Sequence, residues 1–160
     1  MRYNGGELRA VGERLTLIRS DRYGDLHVAE EQIYRFEKGI VGWQDISHYA
    51  LIGIEDTPFF ILHAVNEQLS FILIPAEKAV LDYGFEIDDE TVALLDAKQP
   101  EDVVTFLIVN IIDDTFYVNL KAPVLLAPRS RAGCQYVIHD RDYPLRFPLR
   151  RREEAGNAGA

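Results

Sequence analysis

The chain has 160 residues with 17 Lys+Arg against 26 Asp+Glu, a formal net charge of −9. That length fits one domain able to bury a core, and 48% hydrophobic residues with 11% aromatics exclude wholesale disorder. A sequence pI near 4.9 argues against a surface built to hold a phosphate backbone, which needs clustered cations.

The single cysteine, Cys134, has no partner for an internal disulfide, and no Cys/His cluster has zinc spacing. The N-terminal residues are polar and lack the apolar stretch of a secretory signal. The longest apolar runs are strand-sized, far below the roughly 20 residues that cross a bilayer. A soluble, cytoplasmic protein is expected, with no membrane contact. The charge is uneven: residues 1–128 hold 10 basic and 22 acidic side chains, a net of −12, while residues 129–160 hold 7 and 4, a net of +3.

Residues 1–14 read as a loose leader. A first strand is expected over 15–19, a turn around Gly24, and a second strand over 26–28. Gly39 and Gly42 bracket Ile40-Val41, which predicts a bent loop that needs backbone freedom. Three apolar runs follow at 49–54, 59–65 and 69–74, separated by short polar connections typical of hairpins. Pro58 lacks an N–H and belongs at a strand start.

One helix is predicted over about 89–97, capped by Asp88 or Asp89, apolar through Val92 and Leu95, and stopped by Pro100. A long strand over 103–112 then turns at Asp113-Asp114 into a return over 116–120. Strands at 124–127 and 136–139, joined by a polar loop at 129–133, complete the set. Residues 150–160 have nothing to bury and are expected to be disordered. About nine short strands, one short helix and no βαβ alternation predict a mainly β fold, a small antiparallel β-barrel-like single domain over 15–149.

Chemistry is sparse. The histidines His27, His48, His63 and His139 have no metal-ligand spacing, and His63 falls inside an apolar strand, as a satisfied core residue would. Cys134 has no base arranged beside it by the sequence, so a bystander thiol is expected. No phosphate-binding glycine loop or nucleophile elbow occurs. By elimination the chain reads as a binding protein with no catalytic residue, no metal and no cofactor.

Four segments in order carry a resemblance. Phe36-Glu37-Lys38-Gly39-Ile40-Val41-Gly42-Trp43 resembles the F-x-x-G-I-x-G-F/W segment of the flagellar assembly factor FliW family. Thr57-Pro58-Phe59-Phe60 is similar to its S/T-P-F-F, and Asn119-Leu120-Lys121-Ala122-Pro123 to its N-L-x-A-P. Asp142-Tyr143-Pro144-Leu145-Arg146-Phe147-Pro148-Leu149 is close to its terminal D-Y-P-L-R-x-P-L. The resemblance covers roughly 15–149. The chain departs from it at Glu37 and Val41, where the family often has proline, and at Ala127, where it commonly has asparagine.

The resemblance implies a small β-barrel-like protein of flagellar biogenesis that binds flagellin and also CsrA, a small RNA-binding translational repressor. Free of flagellin, the factor would hold CsrA beside its RNA site and relieve repression of flagellin translation. The acidic body suits a basic partner and gives no reason for direct nucleic-acid binding. Flagellin ends are amphipathic helices, so an apolar receptor is expected; Phe59, Phe60, Phe71 and Tyr143 are its candidates, with core packing as the competing role. Asp142, also a candidate for partner contact, is expected to cap a turn, and Arg146 to pair with a carboxylate of the body or, second, to touch a partner. Gly39, Ile40, Gly42, Trp43, Pro58, Asn119, Ala122, Pro123, Pro144 and Leu145 are expected to shape the fold. The alternative function is a small-barrel ligand- or flavin-binding protein.

Overall fold

The computed structural model describes residues 14–149; the leader expected over 1–14, apart from Arg14, and the tail expected over 150–160 lie outside them. The strands are β1 (Leu15–Ser20), β2 (Gly24–Ala29), β3 (Ile33–Arg35), β4 (His48–Gly53), β5 (Phe60–Ala64) and β6 (Ser70–Pro75), followed by helices α1 (Ala76–Ala79) and α2 (Asp89–Leu95). Then come β7 (Val104–Ile112), β8 (Thr115–Val118), β9 (Val124–Ala127), β10 (Ala132–Gln135) and β11 (Phe147–Pro148).

Hydrogen bonding runs from β7 through β6, β5, β4, β3, β10 and β9, and β9 pairs back onto β7. This closes a seven-stranded barrel and leaves no open edge among those strands. The expected mainly β barrel is therefore observed. One seam is parallel, not antiparallel: β3 runs alongside β10 at Ala132 and Arg35, with the Arg35 N–H donating to the Arg131 carbonyl at 2.9 Å. Strands β8 and β11 extend the sheet outward from β7, and the β1–β2 hairpin forms a separate ribbon.

Alternation sorts the apolar runs into an inner and an outer set. Tyr34, Phe36, Tyr49, Leu62, Leu73, Phe106, Val124 and Leu126 pack together as the filled barrel interior. The intervening residues point out and are buried a second time. Ala50 lies under Ile18 and Val28 of the hairpin. Ile74, Leu107 and Val109 lie with Val118 and Leu120, while Leu125, Ala127 and Cys134 pack with Leu95 of α2. Two-sided burial is why these strands read as continuous apolar runs.

The helix predicted over 89–97 ends at Leu95, because Asp96 takes the left-handed conformation (φ 53°), five residues before Pro100 has a chance to act. Asp88 caps it by accepting the Thr91 N–H at 2.8 Å. A second, one-turn helix, α1, was not expected. The strand expected at 136–139 lies at Ala132–Gln135, and the chain turns over 128–131 instead of looping to 133. Residues 136 and 138 still donate to the carbonyls of Pro123 and Lys121 at 2.9 Å each, so the segment runs on extended beyond β10. Asp113 and Asp114 form the expected turn, both at positive φ.

Asn119 directs the chain from β8 to β9: its Oδ1 accepts the N–H groups of Lys121 and Ala122, both at 3.0 Å. This side-chain turn lets β8 leave β7 and β9 return to it. Asn119→Ala removes the acceptor from two part-buried donors and is expected to cost about 1–3 kcal/mol. Chemical denaturation is the check; Asn119→Asp, which keeps the acceptor, should lose much less.

Candidate partner-binding surfaces

The groups that most often carry chemistry are occupied structurally. His63 is buried, with Nδ1 2.8 Å from the Ala64 carbonyl and Nε2 3.0 Å from the Ser20 hydroxyl. A carbonyl only accepts, so Nδ1 donates, and Nε2 takes the Ser20 proton. Ser20 Oγ meanwhile accepts the N–H groups of Arg22 and Tyr23. Cys134 is buried under α2, and loss of solvation, with Asp88 adding to it, pushes its thiol up to about 12. Among the described residues no group of three His, Cys, Asp or Glu side chains is placed to hold a metal. The barrel interior is filled by side chains, and a cleft of about 680 Å³ lies on the outside between His48, Arg35 and Arg131.

The expected partner residues separate. Phe60 packs on the barrel interior, edge-to-face with Phe106 at 5.3 Å, so core packing accounts for it. Phe71 also packs on that cluster, but it carries Trp43 against it at 5.5 Å. Phe59 points outward, half-buried, 6.1 Å from the Phe116 ring. Pro58 stands two residues before β5, in a turn where the Thr57 hydroxyl donates to the Ile54 carbonyl and accepts the Phe59 N–H.

Tyr143 is half-buried: its hydroxyl donates to the Gly84 carbonyl (2.9 Å) and accepts the Gly84 N–H (3.1 Å), and its ring lies 4.9 Å from Tyr83. Burial, then Tyr143, pushes the Tyr83 phenol well above its ordinary value. The terminal segment is held by main-chain bonds, Leu120 N–H to the Pro144 carbonyl (3.1 Å) and Leu149 N–H to the Phe116 carbonyl (2.8 Å). The ion pair expected of Arg146 and the turn cap expected of Asp142 are not formed among the described residues. Arg146 is exposed and Asp142 accepts no hydrogen bond there, and the segment is held by its main-chain bonds.

Among the described residues eleven large apolar side chains are exposed, and register and turn geometry group several of them into two features. In the first, Ile111 faces Phe116 across the β7–β8 ladder, and Phe147 faces Val118 across β8–β11. Directly paired residues share a face, so Ile111, Phe116 and Phe147 form one strip, 52%, 37% and 37% exposed, with Phe59 at its flank. Sequence reasoning passed over Ile111, Phe116 and Phe147. A two-residue turn at Asp113-Asp114 was signal enough, because it forces Ile112 opposite Thr115 and Ile111 opposite Phe116.

The second feature is the turn at 39–43. Gly39 (φ 67°) and Gly42 (φ 95°) bend it, Ile40 is buried, and the Trp43 N–H donates to the Ile40 carbonyl at 2.6 Å. At Gly39 a Cβ would fall 2.5 Å from the Gln44 Cα, so no side chain fits. Val41 and Trp43 are left outward, 59% and 42% exposed.

The described residues form a small filled β-barrel with several large apolar side chains exposed on its outside. The family model described as FliW protein matches residues 17–149. The flagellar assembly factor FliW of Caldicellulosiruptor saccharolyticus is 36% identical over 137 residues, 84% of this chain and 90% of that one. That of Geobacillus kaustophilus is 34% identical over 135 residues, 82% of this chain and 94% of that one. A crystal structure of the flagellar assembly factor FliW superposes with a TM-score of 0.77 at 31% identity, covering 86% of this chain and 99% of its own. The chain belongs to the FliW family of flagellar assembly factors.

With the thiol raised to about 12, essentially no thiolate exists at pH 8. Cys134 in the folded protein should resist alkylation for hours at that pH and react fully once urea unfolds the chain. Rapid labelling without denaturant would contradict its placement under α2.

Proposed function

We propose that this flagellar assembly factor binds flagellin and, when flagellin is scarce, holds a CsrA-type RNA-binding regulator away from flagellin messenger RNA. The observation that carries the flagellin half is the strip of Ile111, Phe116 and Phe147. It is an exposed apolar strip on one sheet face, and an amphipathic helix lays its apolar side on such a surface. Phe59 borders it, so one of the four aromatic residues expected at the receptor remains a candidate there.

Charge supports the regulator half. Residues 14–149 carry 12 basic and 22 acidic side chains, a net of −10. A protein that binds RNA is basic, so opposite potentials would bring the two together. Carboxylates docked beside its RNA site would lower the positive potential that draws in phosphates. Holding the regulator without entering its RNA site needs no mimicry of RNA.

Phe116→Ser combined with Phe147→Ser is expected to weaken flagellin binding by at least about tenfold by calorimetry, with the circular dichroism spectrum unchanged. Undiminished binding by the folded variant would remove the strip from the account. Affinity for the regulator should fall at least about tenfold between roughly 50 and 200 mM salt. A flat salt response would mean that the acidic body does not steer it.

A further inference from the structure

The turn at 39–43 is built to hold two apolar side chains in water. Ile40 is sunk in the barrel interior, and bonds between 36 and 46 (Gly39 N–H to Phe36, Trp43 N–H to Ile40, Ile46 N–H to Trp43) fix the backbone on both sides. The Val41 N–H donates to the Gln135 Oε1 at 3.0 Å, and the Gln135 Nε2 donates to the Ala122 carbonyl at 3.2 Å, which ties the turn to the strand beside it. Trp43 is braced edge-to-face by Phe71. Val137, two residues beyond Gln135 and on the same side of the extended chain, is 37% exposed. An exposed indole and valine on a turn fixed by main-chain bonds, with an exposed valine two residues beyond its Gln135 tie, have the composition of an interface anchor.

Carboxylates surround it. Glu37 precedes the turn and Asp45 follows it, both exposed. Lys38 reaches Glu90 in the first turn of α2 at 2.7 Å, the Asp88 N–H at the cap of that helix donates to the Tyr136 hydroxyl at 3.2 Å, and Asp140 is exposed four residues beyond Tyr136. Hydrogen bonds from Thr91 hold the Asp88 carboxyl below its ordinary value, so it is charged at neutral pH. Among the described residues Glu37 pairs with Arg35 at 3.3 Å and Glu90 with Lys38, while the exposed carboxylates of Asp45, Asp88 and Asp140 have no ion-pair partner.

We propose that Val41, Trp43 and Val137 with this carboxylate rim form the docking surface for a basic protein segment, an apolar side chain flanked by lysines or arginines. The apolar residue would sit against the indole, and the flanking cations would meet the rim or the indole face. The assignment rests on the reading given above, in which a basic regulator is one of two partners. It places that regulator on the turn and not on the β8–β11 strip.

The test is a titration of the purified CsrA-type regulator and, separately, of flagellin onto the full chain and two variants, Trp43→Ala and Val41→Asp. The expected result is a loss of at least about tenfold in regulator affinity for both variants, with flagellin affinity within about twofold of the unsubstituted chain. Trp43→Phe should restore part of the loss. Val41 is exposed and makes no core contact, so Val41→Asp stays informative if Trp43→Ala disturbs Phe71 and the fold. Unchanged regulator binding by folded Val41→Asp overturns the surface and leaves the functional reading standing. Equal losses for both partners overturn its selectivity for the basic one. No regulator binding by the unsubstituted chain overturns both the functional reading and this assignment.

Discussion

Strand β7 hydrogen-bonds to β6 along one edge and, along the other, to β8 over Val109–Ile112 and to β9 over Val104–Phe106. The division of that second edge closes the barrel. Were β8 to continue along the whole of β7, β9 would have no place to pair, and its buried N–H and C=O groups would be left without partners. Asn119 sits at the point of division and turns the chain out of one ladder and into the next. The rest follows from closure: a filled interior, a second apolar layer outside, and three covers over that layer, namely the β1–β2 hairpin, α2, and the β8–β11 flap with the terminal segment.

Closure also decides where function is possible. Large side chains fill the barrel, and its strands have no unpaired edge for an incoming segment to extend. The surfaces proposed for recognition accordingly lie on a turn at the barrel end and on the sheet that overhangs it. On the overhang, β8 and β11 bury one part of an apolar face against the barrel and leave Ile111, Phe116 and Phe147 uncovered. At the turn, two glycines at positive φ make the bend, and the buried Ile40 acts as its peg. The two features differ in chemistry. The strip is an apolar sheet face, and the turn is a small apolar point set among carboxylates, which is why they suit an amphipathic helix and a basic segment respectively.

Much of this was legible in the sequence, and the failures have definite causes. Run lengths and short polar connections located most strands, and Asp88, Gly39, Gly42 and Asp113-Asp114 announced the cap and turns they form. The parallel seam was not legible, because β3 and β10 are distant in sequence and share a single register pair. Gly133 read as part of a loop, yet it lies inside β10 where a Cβ would come within 2.6 Å of the Phe36 ring, so it marks close packing. Helix α1 is a single turn, too short to show a period. At the surfaces, two-sided burial hid which aromatic residues face solvent: Phe60, in a motif segment, is half-buried against the barrel core, while Phe116, in none, is exposed.

Hydrogen–deuterium exchange, read residue by residue with each partner at saturation, tests the division of labour most directly. With flagellin, added protection is expected over 111–118 and 145–149 and none over 37–45; with the CsrA-type regulator, protection is expected over 37–45 and 135–138. Protection of one common segment by both partners, or of neither region, would contradict the account.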